Sequence, residues 1–146
     1  MTEIFRLVRR ERAADVMSGE GARLFGGRWS PPGAAVVYAS ESRALAVLEA
    51  FVHVTAEART MAFVLYSIEL PSRARLRRHR ERPRSVHASQ EAGRAWLDDG
   101  SALALVVPSV LVPQEKNYVL DVRHAQFARL KVSKPEPFSF DERLWR

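Results

Sequence analysis

The chain has 146 residues, enough for one domain with a real core and short of two, and its 47% hydrophobic and 27% charged residues suit a soluble globular protein. It has no cysteine, which excludes disulfides, thiolate zinc sites, iron–sulfur clusters and thiol nucleophiles together, and no stretch approaches the ~18 uninterrupted apolar residues of a membrane span. A net charge of +6 and a pI near 10.5 point at first sight to a polyanionic partner.

In chain order, the opening MTEIFRLVRRER lacks the apolar core of a signal peptide, so a cytoplasmic location is expected. Residues 4–8 (IFRLV) read as a first strand, with Ile4, Arg6 and Val8 on one face and Phe5 and Leu7 on the other. A short helix is expected around residues 10–17. Residues 18–33, SGEGARLFGGRWSPPG, hold five of the seven glycines and two of the eight prolines and read as a long irregular loop. Such length favours a functional loop. Residues 35–39 (AVVYA) read as a buried strand, and Ser40 is the expected N-cap of a helix from Glu41 to about Thr55. Residues 60–70 form the longest strand candidate, ended by Pro71.

Between Ser72 and Arg84 lie seven arginines (Arg73, Arg75, Arg77, Arg78, Arg80, Arg82, Arg84) and one acid, Glu81. Removing them from the 23 basic and 17 acidic residues leaves 16 of each, so the net charge is one local feature, expected as an exposed turn or edge strand. Ser89 is the expected cap of a helix running through Gln90 and Trp96 to Gly100. Extended segments follow at 102–107, 110–112 and 118–122, with a turn around Pro108-Ser109, then RLKV and a proline-broken tail. Mostly strands, with two or three helices and no regular strand–helix alternation, imply an α+β fold of compact mixed or antiparallel sheets.

Several chemistries drop out. There is no G-x-x-x-x-G-K-[ST], no G-x-G-x-x-G after a strand, no H-E-x-x-H and no G-x-S-x-G. The four histidines (His53, His79, His87, His124) lie far apart in sequence, and no metal site is expected.

A few residues ask for an explanation. Glu49 is the only polar side chain in ALAVLEAFV (44–52), and a carboxylate buried there needs a polar cleft, a cation or a proton. His53, four residues on, is its nearest partner along a helix; the plain alternative puts Glu49 on one exposed stripe. Arg28 follows Gly26-Gly27, where the backbone can approach a ligand and a guanidinium fork suits phosphate, or it is a surface arginine beside Trp29. Arg6 is a charge in an apolar strand and needs a partner, in the simplest case an internal salt bridge. Tyr38 is either a core aromatic or a ligand platform, and Ser109 is either a turn residue or part of a site. A carboxylate, two arginines, an aromatic and a glycine-rich loop suit a phosphorylated ligand and oxocarbenium chemistry.

These residues resemble the RES domain family, the toxins of bacterial RES–Xre toxin–antitoxin pairs. Arg6 in FRLV, SGEGARLFGGRWS (18–30), VVYASESRALAVLE (36–49) and VPSVLVPQEKNYVLDVRHAQF (107–127) follow the family's order across nearly the whole chain, 1–146. The resemblance places the family's Arg, Glu and Ser at Arg28, Glu49 and Ser109 and its active-site tyrosine at Tyr38. The chain departs from it at Ser30, Asp121-Val122 and Ala125, so no role is assigned to Asp121 or His124.

The resemblance implies an ADP-ribosyltransferase-toxin-like fold and an enzyme that attacks NAD, by phosphorolysis or hydrolysis or by transferring ADP-ribose to a protein. NAD is then a substrate and no recycled cofactor or metal is implied. Arg6 and Arg28 would meet its phosphates, Tyr38 would pack on the nicotinamide or its ribose, and Glu49 would face the sugar cation. Ser109 would orient Glu49 or bind substrate. The implied partners are an Xre-type antitoxin that occludes the active site, NAD and inorganic phosphate; no membrane is implied, and DNA is reached only through the antitoxin. The reading of another class is a nucleic-acid-binding module acting through the arginine segment.

Overall fold

The computed structural model describes residues 2–82 and 84–146; Pro83, inside the arginine segment, lies outside the described residues. The strands are β1 (Glu3–Arg9), β2 (Val36–Ser40), β3 (Phe63–Glu69), β4 (Leu76–Arg78), β5 (Ala104–Pro108), β6 (Lys116–Asp121), β7 (Lys131–Val132) and β8 (Glu136–Phe138). The α-helices are α1 (Glu20–Phe25), α2 (Arg43–Phe51) and α3 (Val86–Asp99). The strands form one mixed sheet in the order β4-β5-β6-β2-β1-β3-β7, with β8 pairing β3, and only β4–β5 is parallel. The α+β expectation holds.

Both faces of the central strands are covered, so β2 and β5 read as continuous apolar runs. Val37, Ala39, Val106 and Leu120 face one core with Ile4 and Ile68. Val36, Leu105, Val107 and Val119 face a second core with Trp29 and Trp96, and partly buried Tyr38, Ala92 and Leu97 pack against it. A third cluster joins Phe5 and Leu7 of β1 to Ala46 of α2 and to Phe63, Leu65 and Phe140.

The sheet has a seam. β1 pairs with β3 along seven residues and β2 with β6 along five, whereas β1 and β2 meet only through Phe5 and Ser40. Residues of both strands next to that point, Phe5 to Val8 and Tyr38 to Ser40, line a cleft.

Four local expectations need correction. The glycine-rich loop is not wholly irregular: Glu20–Phe25 make the short helix α1, entered through Gly19 at φ +71°. The cap of α2 is Ser42, whose Oγ accepts the Leu45 N–H at 3.1 Å, and the helix ends at Phe51; Ser40 belongs to β2. The cap of α3 is Ser85, while Ser89 is a buried interior residue; Gly100 ends the helix at φ +68°, as expected. Val110 to Val112 form a series of bends, not a strand, leaving Val110 and Leu111 exposed.

The arginine segment runs through β4, an edge strand, and all seven arginines are exposed. No ion pair among the described residues involves any of them.

Candidate active site

A cleft of about 750 Å³ lies against the seam, lined from β1, the 18–33 loop, β2, α2 and the turn after β5. Arg6, Arg28, Tyr38 and Glu49 all line it. Ser109 is fully buried behind it and reaches it through Glu49.

Glu49 projects from the last part of α2, the helix whose Ala46 packs on β1. Its carboxylate takes one donor on each oxygen. Oε2 accepts from Asn117 Nδ2 at 2.8 Å, and Oε1 accepts from Ser109 Oγ in a longer contact of 3.3 Å. The Ser109 hydroxyl is itself fixed. Its oxygen accepts the backbone N–H groups of Leu111 (3.1 Å) and Val112 (3.0 Å), so its own proton is left for Glu49. His53 is not the partner expected for Glu49: it is exposed at the cleft, beyond the end of α2, where helical i,i+4 spacing no longer applies.

Arg6 answers its need for a partner without an acid. Its Nε donates to the Val16 carbonyl at 3.0 Å and its Nη1 to the Tyr38 carbonyl at 2.8 Å. The second bond crosses the seam and takes the place of a missing ladder bond between β1 and β2. Among the described residues Arg6 makes no ion pair, so the simple salt-bridge reading fails. Desolvation of the guanidinium and the nearby Arg12 lower its pKa to about 10, against a smaller opposing effect of Asp15. A desolvated cation that lines a cleft and makes no ion pair among the described residues is suited to receiving an anion.

Arg28 is half-buried, and its Nε is buried without a hydrogen-bond partner. The turn that carries it is held from three sides. Gly27 and Ser30 bridge one another across Arg28 and Trp29, and Gln90 of α3 donates to the carbonyls of Gly27 (3.0 Å) and Ser30 (3.3 Å). The Tyr38 hydroxyl accepts the Trp29 N–H at 3.0 Å and lies 2.8 Å from Ser30 Oγ. A Cβ at position 27 would stand 2.5 Å from that hydroxyl and would push the Tyr38 ring out of this arrangement. Tyr38 therefore ties the loop to the sheet while its residue lines the cleft, and burial raises its pKa against the lowering effect of these bonds. Ser30, where the chain departs from the family pattern, is thus a buried partner of Tyr38.

Sequence reasoning missed Ser40, Gln90, Gly93 and Asn117. Ser40 and Asn117 are cross-strand partners of β2 and β6, and both line the cleft. Alternation along IFRLV and the apolar run AVVYA placed the strands, but nothing local marked Asn117 as Glu49's partner. Asp121 and His124 lie away from the cleft lining; His124 Nδ1 accepts the Gln126 N–H and caps a short 3-10 helix at 125–129.

No helix among the described residues is long and apolar enough to cross a membrane. The RES domain model matches residues 3–141. The chain is 36% identical to "Toxin Res" of Yersinia enterocolitica over 149 residues, covering 97% of this chain and 98% of that one. It is 35% identical to the "Prs ADP-ribosylating toxin" of a Sphingobium species over 143 residues, covering 91% and 89%. Among solved structures, a chain from the MbcT–MbcA toxin–antitoxin complex of M. tuberculosis shares the fold, with a TM-score of 0.74 at 19% identity over 94% of this chain and 84% of that one. A family match spanning almost every element described above, with relatives more than a third identical along nearly their full lengths, shows that this chain belongs to the RES domain family.

Proposed function

We propose that this chain is the toxin of a RES–Xre toxin–antitoxin pair and that it breaks the nicotinamide–ribose bond of NAD, arresting growth by depleting it. One observation carries the reading: a carboxylate with a donor on each oxygen shares a cleft with a desolvated arginine that has no acid partner. Arg6 and Arg28 meet the pyrophosphate, the guanidinium fork matching its oxygens. The face of Tyr38 supports the nicotinamide or its ribose. Glu49 accepts a hydrogen bond from a ribose hydroxyl and stabilises the positive charge on the anomeric carbon as the bond breaks. The bonding electron pair leaves on the pyridinium nitrogen, making neutral nicotinamide. An oxygen of phosphate or water then bonds to the vacated carbon and gives up its proton to solvent. Ser109 holds Glu49 and takes no part in proton transfer.

The relatives named as toxins, and the fold shared with a chain of a toxin–antitoxin complex, support an antitoxin partner. So does the cleft mouth. Val52, Val86, Val110 and Leu111 line it and remain 40–50% exposed, an apolar rim that suits a covering protein segment.

A second reading has support of its own: the Sphingobium relative is named an ADP-ribosylating toxin, and transfer to a protein breaks the same bond. One assay covers both. Purified protein is incubated with NAD, with and without phosphate, and with labelled NAD in a cell extract. Release of nicotinamide or a labelled protein is expected, falling at least ~100-fold in Glu49→Ala. No loss of NAD and no labelled target would overturn the proposal.

A further inference from the structure

We infer that Asn117, held by Ser40, is a positioning residue that sets the plane of the Glu49 carboxylate and acts on turnover through Glu49 alone. The inference rests on Glu49 being the group that faces the ribosyl cation.

Ser40, Asn117 and Glu49 form one directed chain, with Asn117 brought in from 77 and 68 residues away. Ser40 is buried and its Oγ donates to Asn117 Oδ1 at 2.6 Å; Asn117 Nδ2 then donates to Glu49 Oε2 at 2.8 Å. The direction is chemically enforced, because turning the amide round would set a carbonyl oxygen against a carboxylate. Ser40 and Asn117 face each other across β2 and β6, so the sheet ladder fixes their separation.

The second donor to Glu49 comes from the same hairpin. Ser109 follows β5 and Asn117 stands in β6; between them the turn is closed by the Ser109 N–H on the Glu115 carbonyl at 2.9 Å. A glutamate side chain has three rotatable torsions, and a single donor would leave the carboxylate plane free to swing. Two donors from a rigid hairpin, one on each oxygen, fix that plane. Misplacing a reacting group by about 1 Å costs on the order of 100-fold in rate.

The test measures NAD cleavage at steady state and ADP-ribose binding by calorimetry in wild type and in Asn117→Ala, Asn117→Asp, Ser40→Ala and the Ser40→Ala/Asn117→Ala double variant. Asn117→Asp keeps the side-chain shape and the acceptor for Ser40 but turns an acceptor toward Glu49, so it reports on the relay even if the alanine variant folds poorly. Both Asn117 variants are expected to lower kcat about 10- to 100-fold with KM and ADP-ribose affinity within about twofold of wild type. Ser40→Ala should give a smaller loss, and the double variant should be no worse than Asn117→Ala, since Ser40 acts through Asn117. A rise in KM with kcat intact would make Asn117 a substrate contact and overturn the inference. Losses that multiply in the double variant would overturn it as well. Wild-type turnover matched by both Asn117 variants sinks this inference alone; a wild type that neither releases nicotinamide nor labels protein sinks the NAD reading and the inference with it.

Discussion

Gly93→Ala should do more damage than any other single methyl added to this chain's glycines. Gly93 lies on α3 where the helix meets the Arg28-Trp29 turn, and a Cβ there would stand 1.6 Å from the Trp29 carbonyl oxygen. Reaching even 3.0 Å, the floor for real Cβ contacts, requires the helix and the turn to part by about 1.4 Å. That movement breaks the Gln90 bonds to Gly27 and Ser30 and strains the Trp29 N–H bond to Tyr38. Overpacking costs about 1–3 kcal/mol and each lost hydrogen bond about 1 kcal/mol, so a loss of about 3–5 kcal/mol is expected. A domain holds only ~5–15 kcal/mol in all. Thermal unfolding should fall by roughly 10 °C, and urea unfolding should show the midpoint drop with little change in slope. NAD turnover should fall too, because the displaced turn carries Arg28. The control is Gly21→Ala: nothing lies within 4 Å of the new methyl, and alanine in helix α1 should stabilise by ~0.5–1 kcal/mol. A Gly93→Ala protein that unfolds within about 1 kcal/mol of wild type would refute the close approach of α3 to the turn.

Ser109→Ala removes the donor to Glu49 and leaves the Leu111 and Val112 N–H groups without their acceptor, so both kcat and stability should drop, the latter by about 1–3 kcal/mol in urea unfolding. Arg6 is charged below its lowered pKa of about 10 and neutral above it, so stabilisation of the protein by ADP-ribose should be full at pH 8 and decline as pH rises past 10. Thermal shifts measured across that range would show it, and Arg6→Met should show little shift at any pH. Replacing Arg75, Arg77, Arg78 and Arg80 by alanine should leave NAD cleavage within about twofold, because none of them lines the cleft; loss of toxicity in that variant, with Glu49→Ala still toxic, would instead favour the nucleic-acid reading.

Glu49 was legible in the sequence because a lone carboxylate in an apolar helix has few physical outcomes. Its partners were not, because Ser109 and Asn117 lie 60 and 68 residues further on and only the hairpin brings them together. Helical spacing offered His53 in their place, and the offer lapsed when α2 stopped at Phe51. Two serines near the start of α2 look equally able to cap it; the extra length of β2 assigns Ser40 to the sheet and Ser42 to the cap. Gly93 carried no signal at all, since a glycine inside a helix shows its reason only when the opposing backbone is in place. Arg6 was marked as a charge needing a partner, but carbonyl acceptors from Val16 and Tyr38 are invisible to a reading of side chains.

The seam between β1 and β2 also has a consequence for exchange with solvent. A strand amide that faces no neighbouring strand swaps its hydrogen through small local openings instead of waiting for the whole molecule to unfold. Deuterium should therefore enter the facing edges of β1 and β2 long before it reaches β5 or β6. Because the Arg6 guanidinium staples those edges through the Tyr38 carbonyl, any anion that draws it away should quicken uptake at the seam.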